Sequence, residues 1–145
     1  MLNDSDLNRY ARQVIIPGFD EEGQERLLSS KCLIVGAGGL GTPVALYASA
    51  AGFGNIEIYD KDNIELSNLN RQIAYKYDKI GSNKAENLAQ ECIKINPNIS
   101  VKHHKKKFEP SIDIKNFNLI FDCSDNSETR YLLISLSQKK KKILI

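Results

Sequence analysis

The feature that most constrains the fold is a glycine-rich run at residues 36–41, GAGGLG, which directly follows the apolar segment Cys32–Val35. A short apolar run of this kind is typical of a strand buried in a parallel sheet. The glycine run fits the pattern G-x-G-x-x-G, and residues 40–51 behind it predict a helix. Strand, glycine turn and helix in this order predict the phosphate-binding unit of an α/β fold.

Each glycine of that pattern has its own physical role. Gly36 permits a tight turn, Gly38 lets the backbone approach a phosphate, and Gly41 lets helix and strand pack closely. The helix start offers free N–H groups and a positive dipole end to an anion. Asp60, nineteen residues after Gly41, ends a predicted strand at residues 55–60, where an acid can accept ribose hydroxyls. A turn that merely needs small residues would not explain the acid, so we expect an adenine nucleotide, either NAD or ATP.

The rest of the chain alternates between predicted helices and strands. Helices are predicted at residues 4–16, 21–29, 82–95 and 127–138, and strands at residues 98–104, 118–123 and 142–145. This alternation predicts an α/β fold, Rossmann-like and doubly wound, with a mainly parallel sheet. We treat residues 1–145 as one domain, with an N-terminal helical segment (1–30) and a Rossmann-like nucleotide-binding part (31–145).

Composition excludes several other classes of protein. The net charge of +2 comes from the lysine run 139–142, so the remainder of the chain is slightly acidic and we expect no nucleic-acid partner. The sequence has neither a membrane-spanning run nor a signal peptide, which predicts a cytoplasmic protein. Lysines 105–107, His103 and His104 are interpreted as surface residues. The three widely spaced cysteines are expected to be buried thiols: Cys32, Cys92 and Cys123.

A second group of polar residues follows the ribose acid. Asp62, Arg71 and Gln72 come soon after Asp60, and Lys84 lies in the first turn of a predicted helix, where a cation opposes the helix dipole. Asp125 follows the fourth predicted strand. Singly, these are ordinary surface charges or, for Asp125, a helix cap. Together at the carboxyl edge of one sheet, they favour a triphosphate with a magnesium ion over a dinucleotide.

Five motifs in order carry a resemblance to a known family. The chain resembles the MoeB/ThiF adenylyltransferases (the HesA/MoeB/ThiF family), bacterial relatives of the ubiquitin-activating enzymes, in RYARQ (9–13), GAGGLG (36–41), DKDNIELSNLNRQ (60–72), GSNKAE (81–86) and DCSDN (122–126). The resemblance implies that Mg-ATP and the Gly-Gly tail of a small ubiquitin-like sulfur carrier protein bind. The tail is adenylylated and pyrophosphate leaves, in molybdopterin or thiamine biosynthesis.

The resemblance also implies roles for individual residues. Asp60 would bind the ribose, Lys84 the phosphates, and Asp125 the magnesium ion. Arg12 would reach the ATP of a neighbouring subunit, which implies a homodimer. The expected catalytic residues are Arg71, Lys84, Asp125 and Arg12. The expected nucleotide contacts are Gly36, Gly38, Gly39, Gly41, Asp60, Asp62, Ser67, Asn68, Leu69, Asn70, Arg71, Gln72, Lys84, Asp125 and Asn126.

The sequence departs from this family at its end. Members continue for roughly another hundred residues, with two C-x-x-C pairs that bind a structural zinc, and these pairs are not encoded here. We therefore expect a C-terminally truncated chain with an incomplete sheet, low solubility, encoded ATP binding and impaired adenylylation. One alternative is a non-catalytic nucleotide-binding fragment of a split or decayed gene. The other is a fragment of an NAD-dependent oxidoreductase, which gives no role to Arg71, Lys84 or Asp125.

Overall fold

A computed structural model describes residues 2–145. Helices and strands alternate along most of this range, and two short 3₁₀ turns lie at Leu66–Asn68 and Tyr77–Lys79. The elements are α1 Asp4–Arg9, α2 Ala11–Val14, α3 Asp20–Ser29, β1 Lys31–Val35, α4 Gly41–Ala51, β2 Asn55–Tyr59, α5 Lys84–Ile95, β3 Ser100–His104, β4 Leu119–Asp122, α6 Ser127–Lys140 and β5 Ile143–Leu144.

The five strands form one parallel sheet in the order β3-β2-β1-β4-β5. The chain builds outward from β1 to β3 and then returns to the other side of β1, which makes the sheet doubly wound. Val35 pairs with Tyr59 of β2 and with Asp122 of β4, so three central strands end side by side. The predicted Rossmann-like α/β fold is confirmed.

Both faces of the sheet are covered, because the strands bury alternate side chains on opposite sides. On one face, Ile34 and Ile58 pack in a cluster with Ala45 of α4 and Leu88 of α5. The cluster on the other face is built from Leu33, Val35, Tyr59, Phe108, Ile114, Phe117, Ile120 and Leu133. Each large apolar side chain buried in this way contributes about 1.5–3 kcal/mol, so the sheet is held from both sides.

The prediction of one helix over residues 4–16 is wrong. The structure has two short helices that are separated at Tyr10, whose φ of −103° and ψ of 15° leave the helical range. The Tyr10 ring is 1% exposed, and its hydroxyl accepts a hydrogen bond from Asn96 Nδ2 at 2.9 Å. Burial of this ring explains why the helix does not continue. The other predicted elements agree with the structure to within two residues at each end.

Buried amides connect the N-terminal helices to the ends of α4 and α5. Gln13 donates a hydrogen bond to the Gln24 side chain at 2.7 Å, and both side chains donate to the carbonyl of Ala51. Asn96, at the end of α5, donates to Tyr10 and to the carbonyl of Ser49. The N-terminal helices therefore pack at the amino edge of the sheet, opposite the glycine turn.

Two further features bear on the sequence predictions. Cys32, Cys92 and Cys123 are free and buried, as predicted. Within residues 2–145, no helix has the length and apolar character needed to cross a membrane. Of the two histidines interpreted as surface residues, His103 is exposed as predicted, whereas His104 is only partly exposed. The His104 ring stacks on Tyr59 at 4.0 Å and lies 3.0 Å from Glu57 Oε2.

Glu57 gives the fold a dependence on pH. Burial raises its pKa, but hydrogen bonds from Lys31 and His104 outweigh burial, so the pKa lies below its ordinary value of 4.5. A carboxylate with a lowered pKa stabilises the fold above that ordinary value, and this contribution is lost as the pH falls through the folded-state pKa.

We therefore expect Glu57→Gln to lower the free energy of unfolding by about 1 kcal/mol at neutral pH, and by much less at about pH 3. Urea unfolding at the two pH values measures the difference. The exposed residue Glu109 provides the matched control, Glu109→Gln, which should leave stability within about 0.5 kcal/mol. An equal loss at both pH values would contradict the assignment.

Candidate functional site

The glycine turn lies at the carboxyl end of β1, where the strand order reverses between β1 and β4. Ligands of open α/β sheets bind at this point. Gly36 has a φ of +101°, and a Cβ there would lie less than 3.0 Å from the carbonyl oxygen of Cys123. A Cβ on Gly41 would lie even closer to the carbonyl oxygen of Gly36. The turn is thus wedged between β4 and α4, and glycine is needed at both positions.

The turn presents backbone donors without acceptors. The amide N–H groups of Gly38, Gly39 and Leu40 have no hydrogen-bond acceptor within residues 2–145. Helix α4 begins at Gly41 without a side-chain cap. Unpaired amides and the positive end of a helix dipole together form an anion-binding site.

Asp60 lies just beyond β2 and is bound to this turn. Its Oδ2 accepts the Ala37 N–H at 2.7 Å, and its Oδ1 accepts the Asp62 N–H at 2.7 Å. Burial raises the pKa of Asp60; the two amides and the charge of Lys84 oppose this effect. Each carboxylate oxygen retains a lone pair, so the group can still accept hydroxyl donors of a ribose.

Arg71 lies across the glycine turn. Its Cδ lies 3.7 Å from the position that a Cβ on Gly39 would occupy. Its Nη1 donates to the carbonyl of Ser67 at 3.1 Å and to Asn70 Oδ1 at 3.0 Å. The guanidinium is exposed on the solvent side, so Ser67 and Asn70 hold a cation beside the open amides.

Lys84 is the first residue of α5 and is only 9% exposed. Its ammonium group has no hydrogen bond or salt bridge within residues 2–145, although its charge acts on Asp60 from a greater distance. Asn83 caps α5 and also donates to the carbonyls of Asp60 and Asp62, both at 3.1 Å, which joins the start of α5 to the ribose acid. Because a cation at a helix start opposes the helix dipole, this arrangement favours an anion that binds there from outside the chain.

Gln72 is a second buried group that lacks a partner. It is 3% exposed, and its Oε1 makes no hydrogen bond within residues 2–145. Its Nε2 lies 3.7 Å from the Cβ position of Gly38. Asn68, which is 8% exposed, instead uses its Oδ1 to accept the Glu65 N–H at 3.1 Å.

The end of β4 contributes an exposed acid. Asp125 has one side-chain contact, to Asn126 Nδ2 at 3.4 Å, whereas Asp122 is held by Ser124 and by Arg130 at 3.3 Å. The alternative that Asp125 caps α6 is wrong, because Asn126 accepts the Thr129 N–H at 2.9 Å. No group of three His, Cys, Asp or Glu side chains suited to a metal occurs in the part of the chain that the structure describes.

The structure brings some predicted site residues together and leaves others apart. Asp60, Arg71, Gln72 and Lys84 surround the glycine turn. Asp62, Ser67 and Asn70 are exposed nearby, and Leu69 packs on the core. Arg12 is exposed, and its neighbour Gln13 contacts Ala51 at the far end of α4, about 15 Å along the helix.

Sequence reasoning missed two residues and correctly assigned a third. Asn83 lies within the GSNKAE motif, but its bonds to two backbone carbonyls could not be read from spacing. The Tyr75 hydroxyl donates to the carbonyl of Ala37 at 2.6 Å, and the sequence carries no signal for this contact. Cys123 is a buried thiol as predicted; burial and then Asp122 raise its pKa to about 11.

The parallel sheet and its glycine turn place the chain in the class of Rossmann-type α/β domains. Within that class the family is established: the chain belongs to the ThiF family, whose model matches residues 10–145. This match confirms the resemblance found in the sequence.

Several known proteins are similar to this chain. Adenylyltransferase and sulfurtransferase MOCS3 of Caenorhabditis briggsae is 43% identical over 135 residues, which are 91% of this chain and 34% of the relative. The probable adenylyltransferase/sulfurtransferase MoeZ of Mycobacterium tuberculosis is 42% identical, with the same coverage. The chain spans about a third of the length of these relatives. E. coli tRNA N6-threonylcarbamoyladenosine dehydratase TcdA, solved in complex with ATP, superposes with a TM-score of 0.88 at 25% identity over 99% of this chain and 60% of that one.

Proposed function

We propose that this chain binds Mg-ATP and serves in the adenylylation of the C-terminal glycine of a small ubiquitin-like sulfur carrier protein. The relatives named as adenylyltransferases and the ATP complex of TcdA support this proposal. The observation that carries it is the set of groups at the glycine turn: three amides without acceptors, the acid Asp60, and two cations, Arg71 and Lys84, that have no salt bridge within residues 2–145. The triphosphate of ATP carries more negative charge than the diphosphate of a dinucleotide and therefore fits this set of donors better.

The residues present fit a bound triphosphate. Asp60 would accept the ribose hydroxyls, and the amides of Gly38, Gly39 and Leu40 would donate to phosphate oxygens. Arg71 and Lys84 would neutralise the phosphates from two sides. Asp125 would hold magnesium together with phosphate oxygens, which matches the preference of this ion for one or two carboxylates plus phosphate. Gln72 Oε1, which lacks a donor within the described chain, can accept a bond from a water of that ion.

In the proposed reaction, a carboxylate oxygen of the carrier tail attacks the α-phosphorus. One O–P bond forms to the tail, and the bond between the α-phosphorus and the bridging oxygen to the β-phosphate breaks, which gives an acyl adenylate and pyrophosphate. Nucleophile and triphosphate are both anionic, and negative charge grows on the leaving pyrophosphate. Arg71 and Lys84 stabilise that charge from fixed positions, so they need no reorganisation during the step.

Two finer parts of the proposal come from the family resemblance. Arg12 is exposed and distant from the crevice of its own chain, which we define as the space bordered by the glycine turn, Asp60, Arg71 and Lys84. It would complete the crevice of a second subunit in a homodimer. The carrier would serve molybdopterin or thiamine biosynthesis. The alternative to adenylylation by this chain is a nucleotide-binding unit that acts only with a separate chain. Equilibrium sedimentation at several concentrations tests the dimer; a monomer at every concentration would refute it.

Nucleotide preference separates this proposal from an oxidoreductase. We expect Mg-ATP to bind more tightly than NAD, and Arg71→Ala to weaken ATP binding by about 30-fold, because it removes a charge-assisted contact of about 2 kcal/mol. Isothermal titration with both ligands measures the effect. Arg26→Ala, at an exposed arginine that pairs only with Glu22, is the control and should change neither constant. A preference for NAD that Arg71→Ala leaves unchanged would favour the oxidoreductase.

The reaction itself requires a second measurement. Exchange of labelled pyrophosphate into ATP should depend on a sulfur carrier that ends in Gly-Gly, and it should be absent with the same carrier lacking its last glycine. If the chain binds ATP but catalyses no exchange with a cognate carrier, adenylylation by this chain alone is refuted. The chain would then be a nucleotide-binding unit without this activity.

A further inference from the structure

Tyr75 makes a contact that the proposed function does not use. Its side chain is 6% exposed, in the core between the glycine turn and α5. The hydroxyl donates to the carbonyl of Ala37 at 2.6 Å and lies 3.3 Å from the carbonyl of Lys84. Burial, and then the charge of Asp60, raise the pKa of Tyr75, so the hydroxyl keeps its proton and acts as a donor.

The partner of this hydroxyl is part of the phosphate turn. The Ala37 carbonyl and the Gly38 N–H belong to one trans peptide unit, in which C=O and N–H point in opposite directions. Because Tyr75 draws the carbonyl into the core, the Gly38 N–H faces the crevice, where it has no acceptor within residues 2–145. On its other side, the Ala37 N–H is fixed by Asp60 at 2.7 Å.

We infer that Tyr75 is a positioning residue that orients the Gly38 amide toward a phosphate and aligns the turn with the start of α5, which carries Lys84. The inference rests on the proposed function and deepens it. Tyr75 acts through the Ala37–Gly38 peptide and the start of α5, so it affects the phosphates of a nucleotide and leaves the ribose contact at Asp60 in place. Removal of the hydroxyl therefore lowers the affinity for phosphates specifically.

The test compares Mg-ATP with adenosine. In Tyr75→Phe, the dissociation constant of Mg-ATP should rise about tenfold, the effect of one lost hydrogen bond, while that of adenosine changes less than about twofold. Tyr77→Phe is the matched control, because this tyrosine is 74% exposed and outside the crevice. Ligand-observed NMR gives both constants. Unchanged ATP affinity, or equal weakening of both ligands, would overturn the inference.

A second measurement uses the wild-type chain and needs no folded variant. Titration with Mg-ATP should shift the amide proton of Gly38 in ¹H–¹⁵N spectra, and adenosine should not. A Gly38 amide that does not respond to bound ATP would also overturn the role of Tyr75. If the wild-type protein binds no ATP, the proposed function fails, and the inference fails with it. If the wild-type protein binds ATP and Tyr75→Phe binds it with the same affinity, only the inference fails.

Discussion

Substitution of Lys84 by methionine should abolish most nucleotide binding and leave the fold at least as stable as before. Methionine keeps the volume of the side chain and removes its charge. The phosphates then lose a cation whose side chain is largely enclosed by the protein, so we expect the dissociation constant of Mg-ATP to rise at least 100-fold, or about 3 kcal/mol. Without nucleotide, removal of a cation that opposes the helix dipole at the start of α5 should raise the free energy of unfolding by up to about 1 kcal/mol.

Weaker ATP binding together with undiminished stability distinguishes a lysine that contacts the ligand from one that stabilises the fold. Urea unfolding and calorimetric titration measure the two effects on the same samples. Lys79→Met, at an exposed lysine five residues earlier, should change neither quantity. Loss of stability in unliganded Lys84→Met, with ATP affinity retained, would mean that the ammonium serves the fold and that the crevice is not built around it.

Gly41→Ala should produce the largest loss of stability. The new Cβ would lie less than 3.0 Å from the carbonyl oxygen of Gly36, a backbone atom that cannot turn aside as a flexible side chain can. The start of α4 and the turn at Gly36 cannot move apart without separating α4 from β1. We expect the free energy of unfolding to fall by about 3 kcal/mol or more, which lowers the melting temperature by roughly 10 °C.

Gly38→Ala is the matched control for this prediction. The nearest atom to its Cβ position is Gln72 Nε2 at 3.7 Å, an ordinary van der Waals distance, so stability should change by less than about 1 kcal/mol. Differential scanning calorimetry compares the two variants. Equal melting temperatures for Gly41→Ala and wild type would show that α4 can shift, which the packing at Gly36 does not allow.

The fold was predictable because its signals are local. Apolar runs such as Cys32–Val35 and the stripe of α5 define elements through periodicity, and the glycines define the first crossover. The break at Tyr10 was not predictable, because it depends on Asn96, which is remote in the chain. The pairing of His104 with Glu57 depends in the same way on the alignment of β2 and β3, which sequence spacing does not give.

The candidate site was predictable in part. Lys84 was recognisable because a cation in the first turn of a helix opposes the helix dipole, and the structure adds that the residue is 9% exposed and has no salt bridge within residues 2–145. Tyr75 carried no comparable signal, because a buried tyrosine is interpreted as a core residue whether or not its hydroxyl orients a peptide. The roles of Arg12 and Asp125 stay predictions, because each depends on a component that lies outside this chain: a second subunit and a magnesium ion.

The wedged glycine turn has a consequence for the thermodynamics of binding. Close packing at Gly36 and Gly41 leaves no room for a side chain, and Asp60 and Tyr75 fix the peptide groups on either side of Ala37. The conformational entropy of this loop is therefore lost when the protein folds and not when a nucleotide arrives. Association should then proceed without a slow ordering phase, at a rate set by diffusion and by the attraction between the phosphates and the two cations.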